Sequence, residues 1–98
     1  MSGYVFAPAA DDDLVEIYLY TFERWSLDQA DLYTARIMQT CERIAAGTVK
    51  GKPIPEFGGR YLKAPVGSHF IVCRRDADLL TVVRILHQRM DIASHLED

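Results

Sequence analysis

Ninety-eight residues, 49% apolar and 26% charged, describe one globular domain with a single core, and they exclude a disordered chain or a pair of domains. The net charge of -3 argues against binding nucleic acid through a global field. Lys50, Lys52, Arg60, Lys63, Arg74, Arg75, Arg84 and Arg89 nevertheless gather in the second half, which leaves room for a local basic patch. No apolar run approaches the ~18 residues of a membrane-spanning helix. Met1-Ser2-Gly3-Tyr4 lacks the basic and apolar regions of a secretory leader, so a cytoplasmic protein is expected.

A short strand, Tyr4 to Phe6, is predicted to end at Pro8, which has no backbone donor and suits the first turn of a helix. The first helix then runs from about Ala9 to Trp25, with Asp11-Asp12-Asp13 as a solvated first turn favoured by the helix dipole. At roughly 100° per residue, Leu14, Val15, Ile17, Tyr18, Leu19, Phe22 and Trp25 spread over an arc of about 200°. Packing on a core needs only a stripe upwards of ~100°. Part of the helix is therefore buried on two sides or left apolar for a partner. Leu19 and Phe22, toward one side of the arc, are the candidates for partner contact.

Ser26 opens a second helix, and Gln29 is placed to complete a capping box. Ala30, Tyr33, Ile37, Cys41 and Ile44 fall on one face, and Gly47 supplies the stop. So short a turn makes the two helices antiparallel neighbours. Gly47 to Gly59, with four glycines and two prolines, reads as an irregular connection. Strands follow at Arg60 to Ala64, His69 to Arg75 and Leu79 to His87, joined by turns short enough for an antiparallel meander. Asp91 is placed to cap a last short helix through His95. The order βααβββα gives an α+β fold, an antiparallel sheet packed against a helical hairpin.

No nucleophile constellation is legible. Ser68 lies in a turn and Ser26 and Ser94 in helical segments, outside the strand-to-helix setting that activates a serine. His69, His87 and His95 lack metal-ligand spacing, and no glycine-rich loop joins a strand to a helix, so neither a metal nor another cofactor is expected. Cys41 and Cys73 occupy apolar positions and read as small buried hydrophobes kept reduced. One enzymatic possibility comes from Arg60, Lys63, Arg84, His87 and Arg89, which on a concave sheet could hold a phosphodiester and move a proton. Basic residues on a sheet also serve as edge protection.

The chain as a whole resembles the ParE branch of the RelE/ParE toxin family. The resemblance is carried by Ala10-x-x-Asp13-Leu14-x-x-Ile17-x-x-Tyr20, by Ala30-x-x-Tyr33-x-x-x-Ile37 and by Gly67-Ser68-His69-Phe70 through Cys73-Arg74. Most specific is the junction Arg84-Ile85-Leu86-His87-Gln88-Arg89-Met90-Asp91. It implies the RelE-like α+β fold and a toxin of a type II toxin–antitoxin module. ParE members poison DNA gyrase and are neutralised by a ParD antitoxin whose C-terminal segment wraps the toxin, whereas RelE members cleave mRNA on the ribosome. Two departures stand out. Cys73 replaces the usual aromatic residue before the strand arginine, and no tyrosine follows Tyr61, where RelE ribonucleases carry a C-terminal tyrosine or histidine. The expectation is a non-enzymatic toxin that contacts gyrase through Arg84, His87 and Arg89 and an antitoxin through Leu19 and Phe22, with no membrane partner and no direct DNA binding by the toxin alone. The alternatives are a ribosome-dependent mRNA interferase or a detoxified antitoxin-binding module.

Overall fold

The computed structural model describes residues 3–96. Strand β1 (Gly3–Phe6) leads into helix α1 (Pro8–Arg24) and helix α2 (Leu27–Ala46); strands β2 (Lys52–Pro53), β3 (Leu62–Val66), β4 (His69–Asp76) and β5 (Leu79–His87) follow, and α3 (Ile92–His95) closes the chain. A short 3-10 turn, Pro55–Phe57, separates β2 from β3. At the ends of α1 and α2 the predicted signals act in part: Pro8 stands in the first turn of α1 and Gly47 closes α2 at φ 84, while of the capping box only the Ser26 half forms, its hydroxyl accepting the Gln29 N–H at 3.0 Å. Asp91 precedes α3 without a side-chain capping bond; Ser94 Oγ donates to its carbonyl instead.

The sheet has the order β1-β5-β4-β3-β2. Strands β3, β4 and β5 form the antiparallel meander, but β1 lies parallel to β5, from Gly3 opposite Leu79 to Phe6 opposite Val82, so the sheet is mixed. β3 starts and ends two residues later than its sequence suggested. It accommodates Pro65 because β2 pairs only with Leu62 and Lys63, leaving the rest of β3 a free edge that needs no donor there. A bulge interrupts the β4–β5 ladder: Cys73 pairs with Val82 and Val72 with Arg84, leaving Val83 as the extra residue.

The helical hairpin covers one face of the sheet. Ile37, Cys41 and Ile44 from α2 and Ile17 from α1 pack there on Ile71, Cys73, Leu80, Val82 and Ile85. Each fully buried side chain of this size stabilises the fold by ~1.5–3 kcal/mol. The other face carries a smaller cluster of Ile54, Tyr61, Val72, Leu86 and Leu96. Among the described residues no helix is long and apolar enough to cross a membrane.

Candidate functional site

The outer side of α1 is the first place where the fold leaves chemistry exposed. Its inward face is Ala10, Asp13, Ile17 and Thr21, two of them polar, so much of the apolar arc is not needed by the core. Thr21 satisfies its hydroxyl by donating to the Ile17 carbonyl at 2.7 Å. Leu19 is 53% exposed and Phe22 47%, so neither is buried beneath the sheet. With Val15 they form an i, i+4, i+7 stripe, and Trp25 continues it at 73% exposure. Tyr18, donating to Asp31 at 2.8 Å, ties α1 to α2 beside this stripe.

The three residues at the end of β5 do not form one cluster. Arg84 is turned inward to Asp13, donating from Nε at 2.7 Å and from Nη2 at 2.9 Å, while Nη1 donates to the His95 carbonyl at 3.1 Å. Asp13 also accepts the Ile85 N–H at 2.9 Å. The cause is topological: β1 pairs with β5 only as far as Val82, and the chain then enters α1, which lays Asp13 beside the β5 edge that β1 has left. A carboxylate takes over where the ladder stops. Its hydrogen bonds hold the Arg84 guanidinium above its ordinary pKa. Asp13 is thus a buried structural group and not part of a solvated first turn, and Arg84 is not a free contact residue. Arg89 is exposed.

His87 sits half-buried in direct register with His69, ring centroids 5.3 Å apart and edge to face. The Tyr33 hydroxyl lies 2.6 Å from His69 Nδ1, accepts the Ser68 N–H at 3.0 Å and is 3.3 Å from the Val66 carbonyl. Burial, and then the neighbouring His87, push the His69 pKa below its ordinary value; burial raises that of Tyr33. Both are neutral at physiological pH. Periodicity placed Tyr33 on the core face of α2, but its meeting with His69 depends on how α2 lies across the sheet, and the pairing of His69 with His87 depends on the bulge at Val83. Gly67, at φ 55, leaves space for the Tyr33 ring, which a Cβ there would meet at 2.5 Å.

Of the five basic positions that could have held a phosphodiester, the three on strands are split by the pleat: Lys63 and Arg84, both in register with Val72, lie on the face away from the hairpin, whereas His87 shares with His69 the side of Ile71 and Ile85. Lys63 Nζ lies over the Phe70 ring at 4.8 Å. Among the described residues no group of three or more His, Cys, Asp or Glu is arranged to hold a metal. Cys41 and Cys73 are free and buried, and burial pushes their thiols up to about 12 and about 11, so both stay protonated and inert.

Residues 4–92 match the family described as ParE toxin of type II toxin-antitoxin system, parDE. The chain is 38% identical over 96 residues to a Mycobacterium tuberculosis protein named Toxin ParE1, covering 97% of this chain and 98% of that one. An Escherichia coli protein named Toxin ParE is 33% identical over 99 residues, covering 100% and 96%. Among solved structures, a chain of the chromosomal ParDE TA system from P. aeruginosa superposes with TM-score 0.72 at 17% identity, covering 89% of this chain and 95% of that one. That likeness is one of fold.

Proposed function

This chain belongs to the ParE toxins of type II toxin–antitoxin systems, and from that premise we propose that it acts in the cytoplasm by protein–protein contact on DNA gyrase and is neutralised by a ParD-like antitoxin. The observation that carries the antitoxin half is the exposed Val15–Leu19–Phe22 stripe, an apolar surface of the kind an amphipathic segment covers. The gyrase half rests on the family resemblance and on Arg89, which remains available at the β5 exit while Arg84 is committed to Asp13. Arginine suits such a contact because its planar donors match carboxylates and carbonyls. A non-enzymatic mode of action is supported by the separation of Lys63 and Arg84 from the histidines on opposite faces of the sheet.

The test uses gyrase supercoiling and cleavage-complex assays together with antitoxin titration. Arg89→Ala is expected to keep its stability within the ~0.5 kcal/mol of a surface change while losing gyrase inhibition. Leu19→Asp with Phe22→Asp is expected to lose antitoxin affinity in a folded protein. Full gyrase poisoning by Arg89→Ala would remove the β5 exit from the mechanism. Ribosome-dependent cleavage of message that disappears in His87→Ala would replace the reading by that of an interferase.

A further inference from the structure

The exit of β5 and the β3–β4 turn are laced into one unit. The Gln88 N–H donates to the Ser68 carbonyl at 2.9 Å, and its side-chain amide donates to the Gly67 carbonyl at 3.1 Å and to that of His69 at 3.4 Å. Met90 N–H donates to the His87 carbonyl at 2.9 Å. Arg89 N–H donates to His87 Nδ1 at 3.1 Å. This last bond differs in kind, because a single proton abolishes its acceptor. A neutral His87 that accepts at Nδ1 carries its own proton on Nε2; a charged one is a donor at both nitrogens.

We propose that His87 is a positioning residue for Arg89, and that protonation of the His69–His87 pair releases the Arg89 turn, so that the presentation of this side chain depends on pH. The proposal rests on the toxin reading only in treating Arg89 as a target contact.

The two histidines respond differently to a proton. His69 has an alternative: protonated at Nδ1 it donates to the Tyr33 oxygen, and the Tyr33 O–H turns to the Val66 carbonyl. The Ser68 N–H keeps its partner throughout. His87 has no such exchange, since its protonated Nδ1 faces the Arg89 N–H donor to donor. Edge-to-face packing at 5.3 Å couples the rings, so a charge on one disfavours a charge on the other. The surrounding groups are Asp13 from α1, Tyr33 from α2 with Arg36 acting on its hydroxyl, and Arg89, whose backbone N–H meets His87. Asp13 favours a charged His69 but is already bound to Arg84 and Ile85 N–H, and its influence is smaller than that of His87.

The experiment is a pH titration from 5 to 8 of the free 98-residue chain by NMR, reading the histidine ring protons and the Arg89 amide. In the wild type the Arg89 amide should shift with the midpoint of the His87 ring, and its protection from exchange should fall by a few-fold, on the order of one exposed hydrogen bond. His87→Asn, whose side-chain oxygen can replace Nδ1 and cannot be protonated, should hold the amide in its bonded position at every pH. His87→Leu should leave it released at every pH. An Arg89 amide that stays fixed while the His87 ring titrates, or that still titrates in His87→Asn, would overturn the proposal. If a variant fails to fold by far-UV circular dichroism, the two wild-type midpoints decide. None of these readouts uses gyrase or an antitoxin, so they stand apart from the outcome of the inhibition assay.

Discussion

Removing the Asp13 carboxylate tests whether α1 is held to the sheet by charge as well as by apolar burial. In Asp13→Ala the Ile85 N–H loses its partner, and among the described residues the Arg84 guanidinium keeps its hydrogen bond to the His95 carbonyl, with Glu16 as a nearby negative charge. A buried donor left unpaired costs ~1–3 kcal/mol, and breaking one side of a buried ion pair costs ~3–5 kcal/mol. The Arg84 side chain retains 24% of its exposure against 9% for Asp13, so water takes up part of the second cost. About 3 kcal/mol is expected in total, a large share of the ~5–15 kcal/mol that stabilises a domain. Arg84→Ala should cost a similar amount, about 3 kcal/mol, because it strands the more buried Asp13 carboxylate, although that carboxylate still accepts the Ile85 N–H. The double variant should be far from additive. Urea unfolding followed by far-UV circular dichroism is the suitable assay, since Trp25 is too exposed for its fluorescence to report burial. Asp12→Ala, at an exposed neighbouring position, is the control and should stay within ~0.5 kcal/mol. A loss below about 1 kcal/mol for Asp13→Ala, or full additivity with Arg84→Ala, would refute the reasoning.

Two further outcomes are expected. Gly67→Ala should destabilise by about 1–3 kcal/mol, since the new Cβ meets the Tyr33 ring at a left-handed backbone position; thermal melts should fall by several degrees. Because His69 is held below its ordinary pKa in the folded state, the unfolded chain binds more protons. Stability should therefore be complete above pH ~6.5 and decline as pH falls from there toward the lowered folded value. His69→Gln should flatten the urea midpoint across that window.

The elements legible in the sequence are those fixed by their own neighbours. Ser26 as the cap of α2, Gly47 after Ile44, and the two short turns of the meander each act over a few residues, and each behaves as its chemistry dictates. The outward Leu19 and Phe22 were legible for the same reason, from an arc wider than one buried face. What stayed hidden depends on partners distant along the chain. Asp13 reads locally as one of three solvated carboxylates; its burial follows from Arg84, 71 residues later. The parallel pairing of β1 and the bulge at Val83 both belong to the assembled sheet. Pro65 argued for ending β3 at Ala64, because a missing donor matters only where a neighbour asks for it, and β2 is too short to do so. Tyr33 reads as one more apolar contact, and only the packed hairpin brings its hydroxyl to His69.

The pairing of β1 with β5 also governs when this molecule can come into existence. The first strand waits for a partner that begins at Leu79, and the first helix is fastened to the sheet through Arg84 and Ile85, so no N-terminal portion emerging from the ribosome can close the sheet. Contacts between distant parts of a chain slow folding, because the loop between them must be ordered before the contact returns any stability. During synthesis the helical hairpin is the one large unit that can form from local contacts, and it already carries Leu19 and Phe22 on its outer side. The surface proposed for neutralisation is thus complete before the β5 exit that carries Arg89 has been translated.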